Sequence, residues 1–300
     1  MESFILTFSY LAIGVLLKTI RQIPKDFSTS LNLYVIHVAL PSLVLSKVPE
    51  MEFQTELAFV AVLPWVMMAV SAAIVLVLSR LFKWNRATVG CLLLMVPLGN
   101  TSFLGIPMVS TFFGEQAIAY AMIYDQLGSF LALATYGTVV LALFAETSRD
   151  LLSVRETAIK IFTFPPFLAL IAAFITHGAE YPGTLNLLLE NLGQTLVPIV
   201  MVAVGFQLSP KLEPGTVMPL CMGLSIKLVA APLIALAISR ALGMDGEAVE
   251  VAVFEAGMPP MVSAGALAIM AGLAPQLTAA LVGLGIPLSF LTLPILFKLL

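Results

Sequence analysis

Apolar residues run through this chain in long blocks separated by short polar intervals: 4–20, 28–46, 57–79, 87–113, 115–144, 161–177, 184–208, 216–240, 246–272 and 275–299. Crossing the hydrocarbon takes about 20 apolar residues, so the ten blocks predict ten transmembrane helices. They lack the alternation of a membrane barrel, and the predicted class is therefore all-α. The sixth block is short and holds Pro165-Pro166, a pair tolerated only near a helix N-terminus.

Two blocks interrupt themselves. "MVPLGNTSFLGIPMV" at 95–109 sets Pro97, Gly99, Asn100, Thr101, Ser102, Gly105 and Pro107 in the middle of block four. "FEAGMPPMVSAGALA" at 254–268 does the same to block nine with Gly257, Pro259 and Pro260, and adds Glu255. Proline has no N–H for the helix ladder, and glycine favours unwinding. Backbone groups freed in hydrocarbon cost several kcal/mol each unless protein or a polar cavity satisfies them. One proline kink is ordinary in a membrane helix; two breaks at matching depth, each beside polar residues, predict two discontinuous helices. The second halves, starting near Ser102 and Val262, would aim their N-terminal N–H groups at the midplane. Each carries about half a positive charge there, which suits a carboxylate. The last carbonyls of the first halves, near Met95 and Glu255, are expected to be free to ligate a cation.

The chain also reads as two halves, 1–150 and 151–300. Shifting by 160 positions sets Gly105 on Gly265, Gln116 on Gln276 and Ser129-Phe130-Leu131 on Ser289-Phe290-Leu291. Five helices per half is an odd number, so the halves would lie in the membrane upside down to each other, as a 5+5 inverted repeat.

Composition agrees with a multi-pass membrane protein: 60% hydrophobic residues, 10% charged and a mean hydropathy of +1.06. The first block has no basic flank and no small-residue cleavage site, so it is expected to stay as a helix rather than act as a signal peptide. A net charge of −3 without any Lys/Arg cluster gives no sign of nucleic-acid binding. Cys91 and Cys221 lie in apolar runs without metal or redox spacing and read as packing residues. Lys18, Arg21, Lys25, Arg80, Lys83, Arg86, Arg149, Arg155, Lys160 and Lys211 fall in one set of loops; Lys47, Arg240 and Lys298 fall in the other. This bias predicts an inner-membrane protein with both termini outside the cytoplasm and the connector 145–160 inside.

Three ionisable side chains fall well inside predicted spans: Asp125, Lys227 and Glu255. A charge at the midplane costs about 2.5–3.5 kcal/mol on insertion scales, so each calls for a partner or a purpose. Glu255, beside a break, is the leading candidate for binding a coupling ion; the alternative is a structural cap or salt bridge. Lys227 is a candidate to bind a substrate anion or to pair with Asp125 or Glu255. Asp125 is a proton-carrier candidate. His37 reads as a packing residue, and Gln194 and Gln207 as cavity-lining ones.

The stretch Asn100-Thr101-Ser102-Phe103-Leu104-Gly105-Ile106-Pro107 resembles the fourth-helix signature of the auxin efflux carrier family, and Met258-Pro259-Pro260 its ninth-helix counterpart. Leu40-Pro41, Leu192-Gly193-Gln194 with Pro198, and Lys227 with Pro232 are also similar to that family. The resemblance implies a ten-helix fold shared with bile acid:sodium symporters, with helices four and nine crossing. It also implies an elevator-type motion of helices 3–5 and 8–10 against a scaffold of helices 1, 2, 6 and 7. Substrate contacts would come from Gly99, Asn100, Thr101, Ser102, Met258, Pro259, Pro260 and Lys227, with coupling through Glu255, Asp125 and Asn100. Glu255-Ala256-Gly257-Met258 further resembles a symporter motif whose glutamate ligates sodium, although Pro259 and Pro260 replace a polar pair there. Small carboxylates or dicarboxylates such as malate and malonate are the implied substrates. No cofactor is implied beyond sodium at Glu255, and a homodimer is compatible.

The predicted function is thus a secondary transporter of a small organic anion, driven by protons or sodium. A bile acid symporter-like carrier and a non-transporting sensor are the alternatives. Tyr124-Asp125 resembles one motif of intramembrane aspartyl proteases, but that chemistry needs a second membrane aspartate. A channel would draw its symmetry from several subunits rather than from within one chain. The orientation is testable. A cysteine at Ser148 should resist an impermeant thiol reagent in intact cells, while one at position 180 reacts; equal labelling would reverse the topology.

Overall fold

The computed structural model describes residues 2–24, 26–50, 56–145, 154–178, 181–208 and 216–300. Lys25, Arg149 and Lys211, which contribute to the predicted orientation, lie outside the described residues, as do positions 148 and 180. Among the described residues all regular structure is helical, apart from one isolated antiparallel bridge between Gly99 and Pro260. The helices are α1 (Glu2–Leu17), α2 (Phe27–Lys47), α3 (Glu56–Phe82), α4 (Arg86–Met95), α5 (Thr101–Phe113) and α6 (Glu115–Phe144). After them come α7 (Val154–Phe162), α8 (Pro165–Ile175), α9 (Gly183–Gln207), α10 (Val217–Ala241), α11 (Glu247–Ala256), α12 (Val262–Met270) and α13 (Pro275–Phe297).

Six of these, α2, α3, α6, α9, α10 and α13, are long and apolar enough to cross a membrane by themselves. Ten blocks give six such helices for local reasons. Block four is cut into α4 and α5, and block nine into α11 and α12, so neither piece reaches a full span. α1 has 16 residues, and α8 only 11, about 16 Å of helix, because its proline pair forces a start at Pro165. The connector 145–160 is not loop throughout, since α7 begins at Val154.

Prolines inside the blocks leave a regular mark. Pro41, Pro107 and Pro232 each sit two residues beyond a five-residue π turn: Val35–Ala39, Thr101–Gly105 and Ile226–Ala230. A proline ring crowds the carbonyl four residues back and offers that carbonyl no donor, so a wider turn ahead of it relieves both problems. Two more π segments in α6, Tyr124–Phe130 and Leu133–Gly137, precede no proline.

Close packing divides the chain into two compact units. The first comprises Met1–Gln54, Ser102–Met122 and Ala158–Leu208; the second comprises Thr55–Thr101, Ile123–Thr157 and Ser209–Leu300. In the first, α1 lies backbone to backbone against the C-terminal half of α9. A Cβ on Gly14 would stand 2.1 Å from the Val202 carbonyl oxygen, and one on Gly205 2.1 Å from that of Leu11. Small residues let membrane helices approach this closely, where dispersion replaces the missing hydrophobic drive. The Lys18 ammonium then donates to the Leu208 carbonyl at 2.7 Å, just past the end of α9, a favourable place for a cation. The second unit is built on a buried Leu/Val/Ala cluster from α4, α10, α12 and α13. Polar ties cross it, with Cys91 Sγ 3.0 Å from Thr278 Oγ1 and the Tyr136 hydroxyl donating to the Leu93 carbonyl at 2.7 Å.

Gly205→Val forces a side chain into the α1 backbone. It should cost about 1–3 kcal/mol or more in thermal unfolding of the purified protein. Gly183→Ala, where a Cβ meets no atom within 4 Å, should leave the melting temperature unchanged.

Candidate functional site

All the parts of the site described here belong to the second unit, and its frame is the pair of breaks. α4 ends at Met95 and α11 at Ala256, and the extended residues after each run antiparallel to one another. The Asn100 N–H donates to the Pro259 carbonyl at 2.8 Å, and the Met261 N–H donates to the Leu98 carbonyl at 3.0 Å. Each unwound segment thus satisfies backbone groups of the other. Pro259 and Pro260 bring no N–H that would need a partner. Gly285 in α13 makes room for the crossing, since a Cβ there would stand 2.8 Å from Pro260 Cδ.

Lys227 reaches this frame from the π turn of α10 and is 4% exposed. Its ammonium donates to the Ala256 carbonyl at 3.3 Å. It also lies 3.0 Å from where a Cβ on Gly99 would be, so the absence of a side chain at Gly99 admits it. The other two carbonyls at the end of α11 are engaged as well: Phe254 O accepts from the Gly257 N–H at 3.0 Å and Glu255 O from the Met258 N–H at 3.1 Å. These three carbonyls at the end of α11, expected from the sequence to be free, thus each accept one hydrogen bond, from the turn or from the lysine.

Asp125 lies in the first turn of the π segment of α6, buried. Its carboxylate accepts from Thr101 Oγ1 and from Gln126 Nε2, both at 2.6 Å. These short, charge-assisted bonds tie the start of α5 to α6. Glu255, on the last turn of α11, is fully buried, and among the described residues none donates a hydrogen bond to either of its carboxylate oxygens. It is close enough to Asp125 and Lys227 to interact with both charges. The Asn100 amide nitrogen and the Gln126 amide oxygen are likewise buried without a partner.

Lys227 and Glu255 border a cavity of about 10 Å³, lined among others by Gly99, Thr101, Tyr124 and Ser129. That is about the least space in which a single water or a bare ion fits, far below what an organic anion requires. The structure thus gathers Gly99, Thr101, Lys227 and Glu255 around one point, with Asp125 bonded to Thr101. Asn100, Met258, Pro259 and Pro260 are buried along the paired segments. Ser102 is half-buried in the π turn that opens α5 and makes no side-chain hydrogen bond to this cluster. Ser71 and Ser129 line the cavity and escape a reading of the sequence; a lone serine within an apolar block is the one signal that marks Ser71. His37 is exposed on α2, its ring 2.9 Å from the Leu33 carbonyl one turn earlier.

A second cavity, of about 230 Å³, lies within the first unit between residues of α2, α5, α6 and α9, including Ser46, Ser110, Glu190 and Gln194. Lys47 and Glu115, 3.0 Å apart, form an ion pair at its edge. Among the described residues no group of three or more His, Cys, Asp or Glu side chains is placed to hold a metal ion.

Known proteins are similar to this chain along most of its length. An uncharacterized transporter of Methanothermobacter thermautotrophicus is 24% identical over 286 residues, 94% of this chain and 92% of the relative. An uncharacterized transporter of Methanocaldococcus jannaschii is 26% identical over 268 residues, 86% of this chain and 85% of the relative. The family described as membrane transport protein matches residues 1–297. The chain therefore belongs to the membrane transport protein family, the family of the auxin efflux carriers that its motifs resemble.

Proposed function

We propose that this multi-pass membrane transporter is a secondary carrier of a small organic anion. The substrate class is a carboxylate or dicarboxylate such as malate or malonate, and transport is coupled to protons or sodium. Family membership implies transport rather than catalysis. One observation carries the rest: two broken helices pair through their unwound backbones where Asn100, Thr101, Asp125, Lys227 and Glu255 are buried together. Irregular backbone and ionisable groups at membrane depth are costly and mark substrate or ion pathways. The unpartnered Asn100 amide and the positive ends of α5 and α12 favour an anion, while the unpartnered Glu255 carboxylate favours a cation. A cavity of about 10 Å³ means that the organic anion enters only after the protein opens around the paired segments.

In this reading the blocks form ten helices in a 5+5 inverted repeat. Helices 1, 2, 6 and 7 act as scaffold, and helices 3–5 and 8–10 move in an elevator-type cycle. The packing units lend support, because α1, α2, α8 and α9 fall in one, and α3, α4, α10, α11, α12 and α13 in the other. Ser102–Met122, from helices four and five, packs with the first unit instead. The resulting membrane orientation places both termini outside the cytoplasm.

Counterflow of labelled malate or malonate in proteoliposomes tests transport directly; no counterflow with any small carboxylate would sink it. Asn100→Ala and Ser102→Ala should each remove a hydrogen bond to a charged ligand, worth about 1.5–3 kcal/mol or roughly a ten- to hundredfold rise in Kd. Unchanged affinity in both would move the anion site elsewhere. Glu255→Gln keeps the shape and removes the charge. A proton-coupled carrier should then lose uphill uptake but keep exchange, whereas a sodium-coupled one should show weaker sodium dependence of substrate binding. Uphill uptake at the unaltered rate would shift the coupling role to Asp125.

A further inference from the structure

We propose that the Lys227 ammonium is a cation built into the chain, seated where a mobile cation would otherwise bind, so that the crossing requires no sodium. The inference deepens the proposed carrier reading, on which it rests for the role of the crossing, by removing one of its two coupling ions.

The end of α11 is the cation-attracting feature of the crossing, since the partial negative charge of a helix gathers on its last carbonyls. Of these, Phe254 O and Glu255 O each already accept one N–H, from Gly257 and Met258, and Ala256 O takes Lys227 Nζ. A sodium ion needs several oxygen ligands about it at once. Any ion that drew on Ala256 O would lie against the ammonium and be repelled by it. The lysine's place is prepared on the opposite side too, where Gly99 supplies bare backbone and a Cβ would crowd Nζ at 3.0 Å. Glu255 from α11 interacts with the charge of the ammonium and with that of Asp125 from α6, and Lys227 and Glu255 line the same cavity. One fixed positive charge among two carboxylates supplies the balance that a bound sodium would give.

The assignment is tested with the purified full chain in detergent, without substrate, by melting temperature in sodium, choline and methylammonium chlorides at equal ionic strength. The unaltered protein should melt at the same temperature in sodium as in choline. Lys227→Ala opens the cation position, so sodium or methylammonium should raise its melting temperature by about 2–4 °C over choline. That rise should vanish in Lys227→Ala combined with Glu255→Gln. A sodium-specific rise in the unaltered protein would overturn the proposal, and so would a Lys227→Ala protein indifferent to both small cations. Lys227→Met, which keeps most of the apolar stem, takes its place if the alanine variant does not fold. If neither folds, the sodium response of the unaltered protein decides alone. Failed counterflow would sink the carrier reading and leave these shifts untouched; a sodium shift in the unaltered protein would sink only the assignment of Lys227.

Discussion

Two backbone hydrogen bonds hold the centre of the second unit: Asn100 N–H to Pro259 O, and Met261 N–H to Leu98 O. In hydrocarbon an unpaired peptide group costs several kcal/mol, so a helix can be broken at depth only if something else takes up the freed groups. Here each break is the other's partner. The remaining features follow from that constraint. The second segment can carry two adjacent prolines because the one N–H it supplies to the first segment comes from Met261, and Pro259 contributes a carbonyl. Gly285 lets Pro260 sit close, and Gly99 leaves the space through which Lys227 reaches Ala256 O.

The two buried carboxylates differ in a way that separates their roles. Asp125 is held by Thr101 and Gln126 at 2.6 Å and serves as a fixed joint between α5 and α6. Glu255 receives no hydrogen bond and interacts with its neighbours only through charge. Each Asp125 oxygen already holds a donor, whereas both Glu255 oxygens have none among the described residues, which is why the proposed coupling role falls to Glu255.

Much of this was readable in the residues. The breaks lie where proline and glycine cluster, and the second halves begin at Thr101 and Val262, within one residue of the sites read from the sequence. The three intramembrane charges stand out by composition alone. Their contacts do not. Whether Lys227 meets Glu255, Asp125 or a carbonyl depends on how far α10 is wound ahead of it, and the π turn that sets this has no hydropathy signature. Its trace is a spacing, a proline two residues past the turn, shared by Pro41, Pro107 and Pro232. The count of membrane-length helices fell short of the blocks because hydropathy sums across a break that backbone geometry does not cross. α7 went unseen because its apolar positions are too few to form a block.

The π turns have a consequence for how such a chain can change. Each holds one residue more than an α turn, so it is the folded form of a single-residue insertion. Three of the site's polar side chains, Thr101, Asp125 and Lys227, lie inside such turns. Deleting one residue beside any of them would restore a better-bonded α-helix and swing the flanking side chains by about 100°. A substitution at Lys227 alters one group; a deletion next to it would turn the ammonium away from Ala256 and toward lipid. The segments that carry the chemistry are thus the ones that tolerate a change of length least.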